Sequence, residues 1–255
     1  MQNPRLHHDP TRRFSNRVEN YVKYRPGYPP AILTYLQSRY GLTSASIIAD
    51  VGSGTGLLTK LFLDYGCWVY GIEPNAEMRQ AAEQFLGDYP LFTSVAAAAE
   101  ATTLPDASVD FITAGQAFHW FDFAPTQVEF RRILRPRGYI ALIWNSRHPD
   151  SPFMQAYDQL VGQWAIQYDT LHHQSTREEG LAWFLSEQME KATFANEVWH
   201  DWEGLRGRVL SSSYAPLPDH PNHAPLMAGL DELFNQYQQN GRVQFLYQTE
   251  MFIGR

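Results

Sequence analysis

An apolar run that stops at a glycine repeat limits this fold more than any other segment. Ile47-Ile48-Ala49-Asp50-Val51 reads as a buried strand and Gly52-Ser53-Gly54-Thr55-Gly56 stops it; Leu57, Leu58, Leu61 and Phe62 then recur at helical spacing as far as Tyr65. Strand, glycine turn and helix in that order open an α/β sheet whose ligands bind outside the carboxyl ends of its strands. The glycines clear side chains from a backbone that must turn tightly against a ligand. Their spacing separates cofactors. A dinucleotide fingerprint requires Gly-x-Gly-x-x-Gly or Ala, and from Gly52 and Gly54 the last position holds Leu57; the third glycine is Gly56 instead. A phosphate loop requires a Gly-Lys-Ser/Thr ending, which the segment lacks. With Asp50 ahead of the loop and Glu73 placed 21 residues after Gly52, the pattern favours a nucleoside-type ligand without a pyrophosphate. A carboxylate at Glu73 can accept hydrogen bonds from both hydroxyls of a ribose.

The rest of the first half repeats the alternation. Strands are predicted at Trp68–Ile72, Leu91–Val95, Val109–Ala114 and Tyr139–Trp144, and helices at Asn75–Leu86, with Asn75 as N-cap, and around Thr126–Leu134. Arg135-Pro136-Arg137-Gly138 reads as a breaker before the fifth strand. Such alternation predicts an α/β fold with a mostly parallel sheet and helices on both faces. From Asn145 to about Ala192 the pattern is helical, then Phe194–Trp202 alternates like a strand. A helix near Leu226–Gln239 and a β-rich run over Arg242–Ile253 follow, and this last strand is expected to lie antiparallel. The organisation expected is an N-terminal arm or lid (1–30), a ligand-binding core (31–145), a helical cap (146–192) and C-terminal strands and helix completing the sheet (193–255).

Charge narrows the partners. The 255 residues carry a net charge of -7, which opposes a polyanion unless a basic face is concentrated somewhere. Residues 1–30 hold six cations against two acids, a distribution that suits either a solvated helix face or an arm closing over an anionic ligand group. Cys67 is the single cysteine, so no intrachain disulfide can form, in keeping with a reducing compartment. The first residues lack a signal-peptide core and no run approaches a membrane span, so a cytoplasmic location without membrane or nucleic-acid partners is expected. His172-His173 and the pair His220 and His223 lack accompanying ligands, so no metal is expected. The chain is expected to be a monomer or a homodimer.

Several ordered motifs resemble one family. Asp50–Gly56 and Gly71-Ile72-Glu73-Pro74-Asn75-Ala76-Glu77-Met78 are similar to motifs I and II of class I S-adenosylmethionine-dependent methyltransferases. Ala99-Glu100-Ala101-Thr102-Thr103-Leu104-Pro105-Asp106-Ala107-Ser108-Val109-Asp110 resembles the corresponding stretch of the type-11 methyltransferase domain, with Thr102-Thr103 where that pattern has Leu-Pro. Leu134-Arg135-Pro136-Arg137-Gly138-Tyr139 resembles its turn before the fifth strand, with Arg137 in place of a glycine. Tyr21-Val22-Lys23-Tyr24-Arg25-Pro26-Gly27-Tyr28-Pro29 looks like the entry segment of a small-molecule subgroup that includes trans-aconitate methyltransferase-like proteins.

The resemblance implies a Rossmann-like, seven-stranded, mostly parallel sheet with an antiparallel last strand, S-adenosylmethionine as cofactor and a small organic methyl acceptor, a carboxylate or hydroxyl compound. It also implies residue roles. The backbone of Gly52, Ser53, Gly54 and Gly56 would approach the methionine portion, with Asp50 near its amino group and Glu73 on the ribose. Pro74 and Met78 would wall the adenine, Ala99 and Glu100 would lie at its amino edge, and Tyr21 and Arg25 would reach the carboxylate. In Gly115-Gln116-Ala117-Phe118-His119-Trp120-Phe121-Asp122, after the fourth strand, Gln116 and Ala117 would touch the methionine moiety. Phe118, Trp120 and Phe121 would build a dry wall suited to a sulfonium, or serve in part as ordinary core. His119 is the candidate base if the acceptor must lose a proton. Tyr214 is a candidate acceptor contact, and Arg206 and Arg208 could bind an acidic group or simply be solvated. The rival readings are an NAD-dependent oxidoreductase, which Leu57 and the antiparallel last strand oppose, and a regulatory protein that binds the cofactor without catalysis. The chain also lacks the Asn/Asp-Pro-Pro-Tyr turn of nucleic-acid methylation.

Overall fold

The computed structural model describes residues 23–166, 178–186, 188–212 and 214–255. The strands are β1 (Ile47–Val51), β2 (Trp68–Ile72), β3 (Phe92–Val95), β4 (Val109–Gly115), β5 (Leu134–Arg147), β6 (Glu190–His200) and β7 (Val243–Gly254). The helices are α1 (Ala31–Tyr40), α2 (Leu57–Tyr65), α3 (Ala76–Phe85), α4 (Phe123–Ile133), α5 (Pro152–Trp164), α6 (Glu178–Leu185), α7 (Trp202–Leu210) and α8 (His223–Tyr237). One seven-stranded sheet runs in the order β3-β2-β1-β4-β5-β7-β6. β1 to β5 pair in parallel, and β7 enters antiparallel to both β5 and β6. The order reverses between β1 and β4, so the crevice at their carboxyl ends is where a ligand is expected.

The central strands are apolar on both faces because helices cover both; β7 alternates from Val243 to Glu250, where its two faces differ, and is buried on both faces over Met251, Phe252 and Ile253. One core cluster joins Ile112, Leu142 and Phe252 to Phe130 of α4 and Phe184 of α6; another joins Ile48, Val69 and Ile143 to Leu36 of α1 and Phe62 of α2. A third cluster lies beyond the parallel strands, where Tyr157 and Val161 of α5, Leu205 and Val209 of α7 and Leu230 of α8 pack on Phe245 and Tyr247 of β7.

Three local expectations change. The Arg135–Gly138 breaker is extended chain inside β5. Its pairing with β4 jumps from Val109↔Leu134 to Phe111↔Tyr139, so the extra residues bulge out and the strand continues instead of stopping. Gly138 is required there, because a Cβ would stand 2.7 Å from the Asp110 carbonyl. The segment 145–192 is not wholly helical, since β5 runs to Arg147 and β6 begins at Glu190. Finally, α7 begins where the strand expected over Phe194–Trp202 ends and runs through residues for which no element is expected from the sequence. Two glycines, Gly204 and Gly207, hide its helical pattern, although Asp201 caps it by accepting from Gly204 N at 2.8 Å. Gly207 is where the Tyr24 ring lies against the helix, leaving no room for a side chain. Among the described residues no helix is long and apolar enough to cross a membrane, and no group of three or more His, Cys, Asp or Glu could hold a metal ion.

Candidate functional site

The glycine loop is built by β1 and by what lies beneath it. Asp50, the fourth residue of β1, is fully buried and accepts from Thr59 Oγ1 at 2.6 Å and Thr113 Oγ1 at 2.9 Å. Burial pushes its carboxyl up to about 6, even though the two threonine hydroxyls favour the charged form. Its carboxylate therefore ties the start of α2 to β4 under the loop, and Asp50 is not on the wall of the cavity above. Gly52 N and Ser53 N donate to Ile72 O at 2.8 and 3.1 Å, which folds the loop back over β2. Gly56 ends it as the N-cap of α2.

A cavity of about 350 Å³ opens above this loop, with Gly52, Gly54, Glu73, Met78, Gln116 and Ala117 on its wall. Gly52 has φ +68°, and a Cβ there would stand 2.5 Å from the Ala117 Cβ and 3.3 Å from the Phe121 ring. The backbone comes this close to the cavity only because the side chain is missing. Glu73, 9% exposed, accepts from Gly54 N at 2.9 Å through Oε2 and from Asn75 N at 2.8 Å through Oε1. Both oxygens are thus anchored from the protein side, and each keeps a further lone pair for a ligand. Burial raises its carboxyl above the ordinary range; the two amides and Arg79 act against this.

Beyond Glu73 the wall becomes apolar, through Pro74, Met78, Ala98 and Ala99, and Glu100 stands at the far edge, where it also accepts from Asp122 N at 2.9 Å. Asn75 caps α3 by accepting from Met78 N at 2.9 Å, which fixes the thioether over Gly54. On the opposite side Gln116 adopts φ +57° and its Nε2 donates to Asn145 O at 2.8 Å. A strained non-glycine backbone at the end of β4 aims this turn into the cavity. Asn75, Ala98 and Gly115 complete the lining; the sequence reading gave none of them a ligand contact, though each adjoins a residue to which it gave one.

The aromatic run after Gln116 divides. Trp120 and Phe121 line the cavity. Phe118, expected on the acceptor wall, is 3% exposed and belongs to the core: its ring stacks on Phe123 at 4.7 Å and meets Phe184 edge-on at 4.6 Å. The physical reason is the turn. Phe118–Trp120 forms one 3-10 turn, so adjacent side chains point in different directions. His119 is in the same turn with its ring 4.9 Å from Trp120 and is not among the lining residues. Ser53 and Gly56 also shape the loop without lining the cavity. Arg25 donates to Ser211 O at 3.1 Å and Tyr214 accepts from Arg147 Nη1 at 2.7 Å, both in the layer under α5 and α7. Tyr21 lies outside the described residues.

The departure at Thr102 has a structural reason. Its Oγ1 and N donate to Glu129 Oε1 at 2.5 and 2.7 Å, and Arg132 pairs with the same carboxylate at 2.8 Å. Thr102 thus gives the buried Glu129 a second donor that an apolar residue would lack.

The groups present fit an adenosyl ligand. An anchored carboxylate meets two vicinal hydroxyls, an apolar wall beside it suits a planar base, and a side-chain-free loop admits the remainder. Residues 49–142 match the family described as Methyltransferase domain. An uncharacterized methyltransferase of Schizosaccharomyces pombe is 31% identical over 151 residues, which is 59% of this chain and 59% of that protein. The chain therefore matches well under two thirds of that relative's length. Among solved structures, a candidate type II methyltransferase from Anaeromyxobacter dehalogenans superposes with a TM-score of 0.65 at 20% identity, over 91% of this chain and 98% of that one. A phosphoethanolamine N-methyltransferase from Haemonchus contortus, solved with phosphomonomethylethanolamine and S-adenosylhomocysteine, has a TM-score of 0.53 at 15% identity, over 94% of this chain and 56% of that one. At such identities the likeness is one of fold.

Proposed function

We propose, from the premise that residues 49–142 of this chain are a class I methyltransferase domain, that the protein transfers a methyl group from S-adenosylmethionine to a small organic acceptor. The observation that carries this reading is Glu73, whose two oxygens are held by Gly54 N and Asn75 N on the wall of a cavity at the sheet's switch point. When bound, the cofactor supplies an electrophilic methyl group with its leaving group already attached.

The chain's own residues then have three tasks. Glu73 holds the ribose, and Pro74, Met78, Ala98 and Ala99 take the base, so that the cofactor keeps one orientation. Gly52 and Gly54 admit the methionine part against bare backbone, with Gln116 and Ala117 opposite. Asp50 acts through the loop it supports rather than by contact. Trp120 and Phe121 exclude water from the side where the acceptor would approach, and their ring faces favour a positive charge. Orientation of this kind is worth up to about 7–11 kcal/mol. An ionised oxygen acceptor needs no base. His119, packed beside Trp120, is therefore assigned to positioning that ring.

The test is calorimetric titration with S-adenosylhomocysteine and, separately, with NAD, followed by methyl transfer to a panel of small acceptors. Binding of the first with no binding of the second supports the assignment, and the reverse result removes it. For His119→Ala, turnover should fall while the pH profile keeps its shape; loss of an ionisation between pH 5 and 8 would instead make His119 a base.

A further inference from the structure

Under α5 and α7 there is a buried cationic cluster that the methyl-transfer chemistry leaves unused. Arg208 of α7 is 3% exposed, and its Nε and Nη1 donate at 2.8 Å to Tyr247 OH and Ser212 Oγ, both hydroxyl oxygens. Among the described residues no carboxylate pairs with it, and its Nη2 makes no hydrogen bond. Buried charges are ordinarily paired, so a guanidinium held this way is costly in the ligand-free protein. Arg147 of β5 lies nearby, with Nε 2.9 Å from Asp158 Oδ1 and its guanidinium 5.6 Å from the Tyr157 ring centre. Tyr157 itself is fully buried, yet its hydroxyl has no hydrogen-bond partner among the described residues. A buried phenol normally finds one. The same field acts on Tyr214. Burial raises Tyr214, but Arg147 and Arg208, with Ser212 and Arg25, outweigh it and bring Tyr214 below the usual tyrosine range.

Two short chain connections lead from the cavity wall to the cluster. Gln116, on the cavity wall, donates to Asn145 O, and Arg147 follows Asn145 by two residues on the same face of β5, about 7 Å further along. Arg25 reaches Ser211 at the cluster, while Tyr28 lies with its hydroxyl against Gly115 of the cavity wall, and three residues of chain span at most about 10 Å.

We propose that Arg208, Arg147 and the Tyr157 hydroxyl form the subsite for an oxyanion group of the methyl acceptor, either a carboxylate or a phosphate monoester. The subsite holds that end of the molecule while the reacting end reaches the cavity. The inference rests on the reading of the cavity as the methyl donor's site. It also separates two arginines that the sequence left equivalent: Arg206 is half exposed, 3.9 Å from Glu203, and belongs to the solvated face, whereas Arg208 points inward.

The experiment titrates the full chain with succinate and citrate, with inorganic phosphate and glycerol phosphate, and with glycerol as the neutral control. Each titration is run on the free protein and on protein saturated with S-adenosylhomocysteine. At least one anion set should bind where glycerol does not, and the set that binds identifies the group. Tyr157→Phe breaks no hydrogen bond in the free protein, so it should melt no lower than wild type yet bind the anion about tenfold more weakly. Arg208→Met should abolish binding; should that variant not fold, Tyr157→Phe decides alone. Anion affinity unchanged in Tyr157→Phe, or no anion bound by wild type, overturns the proposal. Failure of S-adenosylhomocysteine to bind would count against the methyl-donor reading only, because the titration of the free protein still judges the cluster.

Discussion

Replacing Glu73 by glutamine tests the site at its anchor. The carboxylate accepts one backbone N–H on each oxygen, from Gly54 at 2.9 Å and from Asn75 at 2.8 Å. An amide of the same shape has one oxygen, so one of those N–H groups would face the side-chain NH2. The variant loses a charge-assisted bond worth about 1.5–3 kcal/mol and strands a buried donor at about 1–3 kcal/mol. Relief of the desolvation that raises the Glu73 carboxyl offsets part of this, leaving a net loss of about 1–3 kcal/mol. For a chain of this size that lowers Tm by roughly 2–12 °C. Binding suffers separately. A carboxylate can accept from both ribose hydroxyls and the amide from one, so S-adenosylhomocysteine should bind about 10–100-fold more weakly. Calorimetry well below the unfolding transition isolates the second effect, and thermal unfolding without ligand reports the first. A folded Glu73→Gln variant whose Kd stays within about twofold of wild type would refute the reasoning.

Three further outcomes follow from the same structure. Gly52→Ala forces a side chain into φ +68° and to 2.5 Å from the Ala117 Cβ; ligand titration should show binding abolished, with roughly 2–4 kcal/mol of stability lost in urea unfolding. Phe118→Ala should cost about 3–5 kcal/mol as an emptied core site, yet leave the cofactor Kd of the folded protein within about twofold, because Phe118 packs on Phe123 and Phe184 and not on the cavity. His200 carries the pH test: burial, and then Arg208, push it down to about 4 from 6.5. The unfolded chain takes up a proton that the folded one refuses in that window, so this group makes stability rise by about 3 kcal/mol from pH 4 to 6.5. The stability difference between wild type and His200→Gln, measured by urea midpoints, should shift by about that amount across the window, and a flat difference would contradict it. Asp50 contributes with the opposite sign: its folded value of about 6 against 3.8 means that stability is lost as pH rises through that range.

Local chemistry made the centre of the site readable in one dimension. Gly52, Gly54 and Glu73 act through backbone turns and a strand end, and their meaning lies in spacing of a few residues within a strand–turn–helix unit. The β-rich run Arg242–Ile253, with Val243, Phe245, Tyr247, Thr249, Met251 and Ile253 at alternate positions, likewise marked β7, because a strand with two unlike faces carries a period of two. Arg135–Gly138 misled, since proline and glycine in a bulge look the same as proline and glycine in a turn until the partner strand is known.

What only tertiary structure decided depends on direction and on long-range neighbours. Phe118 and Trp120 are equivalent in the sequence, and the hand of one 3-10 turn sends the first into the core and leaves the second on the cavity wall. Arg147, Tyr157, Arg208 and Tyr247 come from separate elements and carry no common spacing. They meet because α5 and α7 both pack on β7, and burial in that layer turns ordinary surface residue types into a buried charged cluster.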